Sequence, residues 1–138
     1  MATPHSKLQL SDDEWRQRLT PEEFVVLRRG ATEEPYTGEY TDTNTPGAYH
    51  CRACHAEVFC STAKFDPDTG FPSFFDAART GAVILRPDNT EDKVRSEVLC
   101  AVCDSHLGHF FSGEGYPTPI DQRYCIDSIA LKLVSTIG

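Results

Sequence analysis

Two Cys-x-x-Cys pairs, Cys51/Cys54 and Cys100/Cys103, constrain this 138-residue chain more than any other feature. A two-residue gap lets one tight turn present two thiolates to a common point, the knuckle from which tetrahedral zinc sites are built. Forty-five residues lie between the pairs, so a shared ion ties together two distant hairpins. Its role is structural, because four thiolates close the coordination shell and leave no position for substrate or an activated water. Structural zinc binds small peptides with roughly 10–16 kcal/mol, as much as the whole stability of a typical domain, so removing it is expected to unfold much of the chain. A redox disulfide of the thioredoxin type is the alternative reading. That motif normally opens a helix within a βαβ pattern, and no such pattern is present here.

A chain of this length builds one core, so residues 1–138 are expected to form a single domain. The formal charge of −8 and pI near 5.0 argue against an electrostatic hold on nucleic acid or anionic lipid. No apolar run approaches the length of a membrane span, and the N-terminus lacks the apolar stretch of a secretory signal. A cytoplasmic location follows as the expectation, and there thiols stay reduced and paired cysteines favour metal.

Ser11-Asp-Asp-Glu14 and Thr20-Pro-Glu-Glu23 both match the capping box, which predicts two short helices, the second ending near Gly30. Trp15 with Leu19, and Phe24 with Leu27, give each helix one apolar face for packing on a core formed elsewhere. The stretch from Pro35 to Pro46 is rich in turn formers and reads as an irregular segment draped over the domain. Strand-like runs follow at Ala48–Arg52, Glu57–Ser61, Ala82–Arg86, Val94–Leu99, His106–Phe111 and Tyr124–Val134. No helical pattern separates them, so the fold class is mainly β, with antiparallel strands linked by hairpins and longer loops.

Two cysteines remain for chemistry, Cys60 and Cys125. Strand alternation puts Arg123, Cys125 and Asp127 on one face and Tyr124, Ile126 and Ser128 on the other. The Arg123 cation favours the thiolate of Cys125, the nucleophilic form, and an ionised Asp127 opposes it. The alternative for Cys125 is a small apolar core residue. His106-Leu-Gly-His109 supplies two imidazoles that a regular strand would send to opposite faces, but a bulge or bend at Gly108 would bring them to one side, where they can donate a proton near neutral pH; the alternative is a pair of hydrogen-bonded structural histidines beside the metal knuckle. Thr69-Gly-Phe-Pro-Ser-Phe-Phe75 is a turn loaded with rings, either tucked under the core or cradling a small apolar group.

Taken in order, Cys51-x-x-Cys54, Gly70-Phe-Pro-Ser-Phe74, Cys100-x-x-Cys103, His106-Leu-Gly-His109 and Arg123-Tyr-Cys-Ile-Asp-Ser128 resemble the motifs of the peptide-methionine (R)-S-oxide reductases (methionine sulfoxide reductase B) over about residues 8–134. The resemblance implies two antiparallel sheets with N-terminal helices, one structural zinc held by Cys51, Cys54, Cys100 and Cys103, and thiol-based reduction. Cys125 matches the catalytic cysteine, attacking the sulfoxide sulfur while His106 or His109 protonates the oxygen, to give methionine and a cysteine sulfenic acid. Arg123 would favour the thiolate and Phe71 would pack on the substrate methyl. An external reductant, by family analogy thioredoxin, would restore the dithiol, and no organic cofactor is implied.

Three positions depart from the family pattern: Phe71 replaces the usual tryptophan, Thr69 stands where many members carry a resolving cysteine, and Asp127 stands where asparagine is common. With four cysteines assigned to metal and Thr69 lacking a thiol, Cys60 is expected to resolve the sulfenic acid; the alternative is a buried structural Cys60, with the sulfenic acid reduced directly by an external thiol. A zinc-stabilised β module that binds a partner without chemistry, and a cysteine hydrolase using Cys125 with a histidine, are the competing readings.

Overall fold

Both capping boxes form. In the computed structural model, which describes residues 9–88 and 95–135, Ser11 and Glu14 cap α1 (Asp12–Arg18) reciprocally, and Thr20 and Glu23 do the same for α2 (Pro21–Arg29). Gly30 ends α2 in the left-handed conformation at φ 74°, where a side chain would be strained. Trp15, Leu19, Phe24 and Leu27 are all buried, as their helical spacing requires. Arg28 fastens α2 to the second Cys-x-x-Cys turn by donating to the Cys103 carbonyl (2.8 Å) and Ser105 Oγ (3.1 Å).

Among the described residues nine strands follow: β1 (Gly47–Cys51), β2 (Glu57–Cys60), β3 (Lys64–Phe65), β4 (Ser73–Phe74), β5 (Val83–Asp88), β6 (Arg95–Cys100), β7 (His106–Ser112), β8 (Gln122–Ile126) and β9 (Leu131–Ser135). They form a three-stranded sheet ordered β2-β1-β9 and a six-stranded sheet ordered β3-β4-β8-β7-β6-β5. Every pairing is antiparallel, as the absence of crossover helices predicts. Val94, first in its expected strand, lies outside the described residues.

The sheets meet across an aromatic core. Phe59 of β2 stacks on Phe74 of β4 with centroids 4.5 Å apart, Tyr49 of β1 meets Phe74 edge-on at 5.1 Å, and Tyr124 of β8 closes the cluster on Phe59 at 5.4 Å. Phe59 and Phe74 are wholly buried, and truncating either to alanine costs about 3–5 kcal/mol.

Two expectations need correction. The run Tyr124–Val134 is two strands, because the chain leaves the six-stranded sheet after Ile126, makes a 3-10 turn over Ser128–Ala130 and joins the other sheet beside β1 as β9. The ring-loaded turn contains the short strand β4, which pairs with both β3 and β8 and carries Phe74 into the core. The irregular stretch after α2 does drape over the domain. Its tethers run from the Tyr36 N–H to the Gly70 carbonyl (2.8 Å) and from the Tyr40 N–H to Ser128 Oγ (2.8 Å).

Candidate active site and metal centre

Each Cys-x-x-Cys pair sits in a hairpin turn, one between β1 and β2 and the other between β6 and β7. The two turns share one hydrogen-bond pattern: the first cysteine's carbonyl accepts from the residue four on, His55 or Asp104, at 2.8 Å in both. Those two residues have φ of 70° and 61°, which folds both turns alike. The four sulfurs lie within 4.8 Å of one another, with Cys51–Cys103 at 3.7 Å and Cys54–Cys100 at 3.5 Å. A metal–thiolate bond of ~2.3 Å gives a tetrahedron edge of about 3.8 Å, so four sulfurs at these separations fit one metal ion. The ion would join a hairpin of one sheet to a hairpin of the other.

The second constellation is assembled by strand register. Cys125 of β8 lies opposite His109 of β7, His109 lies opposite Glu97 of β6, and Phe111 lies opposite Arg123. Directly opposed residues share a face, so Glu97, His109 and Cys125 line up across three strands, with Arg123 and Asp127 two residues either side of Cys125. The β6–β7 register slips between Val98 and Leu99, leaving Leu107 as an extra residue in β7. This bulge brings His106 to the same side as His109, with ring centroids 5.5 Å apart. Gly108 is required here for close approach, because a Cβ would overlap the Cys125 carbonyl oxygen.

Cys125 and His109 open onto a cavity of about 390 Å³ walled also by Phe71, Phe111, Arg123 and Asp127. Thr32 and Thr69, from segments laid over the sheet, complete its rim. The sequence-predicted residues Cys125, His109, Arg123, Asp127 and Phe71 are thereby brought together. His106 is not at the cavity wall. It is 4% exposed behind Asp127, with Nδ1 2.7 Å from Glu97 Oε2 and Nε2 3.4 Å from Asp127 Oδ2. Cys60 is not at the wall either: it ends β2 in the other sheet, half-exposed, with the Thr62 hydroxyl 3.3 Å from its sulfur.

Burial dominates the thiol of Cys125 and pushes it above its ordinary value. Arg123 pulls it back, chiefly by charge, and Asp127 opposes it. Arg123 is itself fixed by a two-pronged pair with Glu114 (2.9 and 3.2 Å) and by stacking on Phe111 at 4.4 Å. For His106, burial alone would favour the neutral ring, but the carboxylates of Asp127 and Glu97 outweigh it and raise the imidazole above its ordinary value. Glu97 shows the converse. Burial would raise it, and the bonds from His106 and Arg86 hold it lower.

The SelR domain model matches residues 19–135. The chain belongs to the SelR domain family. A peptide methionine sulfoxide reductase MsrB from Leifsonia xyli subsp. xyli (strain CTCB07) is 50% identical over 121 residues, covering 88% of this chain and 86% of the relative. The MsrB of Thiobacillus denitrificans (strain ATCC 25259 / T1) is 49% identical over 122 residues (88% and 91%). Peptide methionine sulfoxide reductase B8 of Arabidopsis thaliana is 47% identical over 135 residues (97% and 92%). Among solved structures, the Mis18 'Yippee-like' domain superposes with a TM-score of 0.53 at 20% identity, covering 67% of this chain and 99% of that one, a likeness of fold alone. Among the described residues of this SelR chain, no helix is long and apolar enough to cross a membrane.

Four residues at or behind the cavity were not singled out by sequence reasoning: Glu97, Phe111, Glu114 and Thr32. Phe111 was within reach, since it lies two residues from His109 on the same strand face. Glu97, Glu114 and Thr32 depend on register or loop placement.

Proposed function

We propose that this chain reduces the R epimer of methionine sulfoxide in peptides or proteins, with Cys125 as nucleophile. The observation that carries this reading is the cavity that joins a half-buried thiol, an arginine and an imidazole to two aromatic rings. A sulfoxide is a polar S–O dipole bearing apolar substituents, and such a wall matches both halves. Phe71 and Phe111 take the methyl and side-chain carbons, while His109 faces the oxygen. Relatives that span most of this chain carry the corresponding names.

The Cys125 thiolate, formed against the cost of burial with help from Arg123, attacks the sulfoxide sulfur. The oxygen takes up one proton and passes to the cysteine sulfur, so the substrate S–O bond is lost and a Cys125 S–O bond is gained. Two electrons move to the methionine sulfur, leaving methionine and a sulfenic acid. Cys60 is the proposed resolving thiol. It condenses with the sulfenic acid and expels water, and a dithiol reductant of the thioredoxin class returns the disulfide to two thiols. Cys60 and Cys125 belong to different sheets, and a disulfide needs Cα atoms within ~7 Å, so this step brings the end of β2 up to Cys125. The four clustered cysteines would hold zinc, and with all four ligands from the protein the ion would serve a structural role. Six unbridged cysteines suit a reducing compartment such as the cytoplasm.

The decisive experiment is dithiothreitol-driven reduction of separated R and S diastereomers by the wild type and by Cys125→Ser. Turnover of R alone, lost in the variant, is expected. Equal activity in both proteins, or preference for S, would overturn the assignment.

A further inference from the structure

Formation of the sulfenic acid consumes one proton for each sulfoxide, and the thiolate that attacks cannot supply it. The group best placed to store that proton is His106, away from the cavity wall. Its two ring nitrogens face carboxylates on opposite sides, Glu97 Oε2 at 2.7 Å from Nδ1 and Asp127 Oδ2 at 3.4 Å from Nε2. An ionised carboxylate only accepts, so each facing nitrogen is stabilised by carrying hydrogen. Nε2 is buried and makes no aligned hydrogen bond, so it is aimed at Asp127 without being locked to it. Asp127, 3% exposed, is held on its other oxygen by the Glu33 N–H at 3.1 Å and forms part of the cavity wall beside Cys125.

We propose that Glu97 is a positioning residue that holds His106 as a proton store behind Asp127, and that this store supplies, through Asp127, the proton taken up by the sulfoxide oxygen. The inference rests on the sulfoxide reductase reading above. As Cys125 sulfur bonds to substrate, the ionised Asp127 takes the Nε2 proton of His106 and hands it on to the departing oxygen. His106 is left neutral, with Nδ1–H still bonded to Glu97. When methionine leaves, water entering the cavity recharges the ring through the same carboxylate. Charge balance favours the arrangement, because Arg86 pairs with the far oxygen of Glu97 and one imidazolium lies between two carboxylates. A neutral ring would leave both carboxylates half-compensated in a buried site. The groups around His106 are Arg86 on β5, Glu97 on β6, His109 on β7 and Asp127 after β8. Beyond Asp127 lie Glu33, Cys125 and Arg123. His109 faces the substrate directly and is the rival donor.

Two readouts test the proposal on the full-length, metal-bound protein. Nitrogen-15 NMR of the histidine rings follows the protonation of His106. Single-turnover methionine release without reductant gives the pH profile of the first chemical step. In the wild type His106 is expected to remain an imidazolium at pH 7. In E97Q, which keeps the shape and one hydrogen bond, it should lose its proton at lower pH. The alkaline fall in single-turnover rate should move down with it, leaving the variant about tenfold slower at pH 8.5, within about twofold at pH 6, and unchanged in substrate affinity. E97D, which restores the charge, should recover most of the wild-type profile. A neutral His106 at pH 7 in the wild type overturns the proposal even if E97Q does not fold, as does a shifted NMR titration with an unshifted rate profile. If the wild type reduces neither diastereomer, the functional reading fails and the proton-delivery role falls with it. If only the store is wrong, wild-type turnover survives and the E97Q profile overlays it.

Discussion

Replacing Gly108 by alanine tests whether the close approach of β7 and β8 sets both stability and the site. A Cβ there would overlap the Cys125 carbonyl oxygen and stand 2.8 Å from Ile126 Cα and 2.9 Å from the Cys125 carbonyl carbon. All three are backbone atoms, so no rotamer change relieves the clash and the strands must part or shear. Overpacking of this kind costs ~1–3 kcal/mol, and weakening two ladder hydrogen bonds adds ~0.5–1.5 kcal/mol each. The lower entropy of the unfolded chain returns ~0.4–1 kcal/mol. The net loss comes to about 3 kcal/mol. With a urea slope of ~2 kcal/mol/M, the unfolding midpoint of the metal-bound protein should fall by about 1.5 M without a change in slope. Because Gly108 neighbours the His109–Cys125 pair, the same shift should slow single-turnover sulfoxide reduction by an order of magnitude or more, since ~1 Å of misplacement can cost ~10²-fold. Gly81→Ala is the control: φ is 86° with no atom within 4 Å of the new Cβ, so it carries only the ~1 kcal/mol strain of a left-handed side chain and leaves the rate alone. A midpoint within about 0.2 M of wild type and a rate within about twofold for Gly108→Ala would refute the reasoning.

Iodoacetamide labelling of Cys125 should accelerate through the alkaline range, because burial holds the thiol above its ordinary value; Arg123→Met should slow labelling at pH 8 on the order of tenfold, and an unchanged rate in Arg123→Met would remove the arginine's role. Denaturing release should yield one metal ion and four protected thiols per chain, and Cys54→Ser should abolish stoichiometric metal and a cooperative melt near 37 °C, as thermal unfolding with metal analysis will show. Phe71→Ala should raise KM about tenfold with kcat little changed, since a buried ring contributes ~1.5–3 kcal/mol, whereas Phe71→Trp should not raise it; a fall in kcat alone would argue that the ring does not bind substrate. His106 is raised in the fold, so its contribution to stability is complete below 6.5 and is lost as pH rises through the folded value. Urea titrations should therefore show the wild type exceeding E97Q most near pH 6 and less above that value, and a gap that widens with pH would contradict the linkage.

What could be read from the sequence was local. Capping boxes need four residues, alternation about Cys125 needs five, and a Cys-x-x-Cys knuckle is complete within one turn, so these readings agree with the structure. The bulge that turns His106 toward His109 was also within reach, because Gly108 interrupts an otherwise regular strand. Glu97 was not. Its bond to His106 exists only because β6 pairs with β7 in one register, slipped by one residue at Leu107, and nothing near Glu97 in the chain records that slip. The break after Ile126 escaped for a related reason: Ile126 and Leu131 are both apolar and wholly buried, yet they belong to different sheets, and hydrophobic pattern reports burial without naming the layer. The same limit separates the two cysteines outside the metal cluster. Cys125 has its arginine two residues away on the same strand, so its chemistry is written locally, whereas the reach of Cys60 to Cys125 depends on how β2 and β8 are placed in separate sheets. The approach of Cys60 to Cys125 is tested at the β2 edge, where the pairing of Ala48 with Cys60 is the contact to weaken or reinforce.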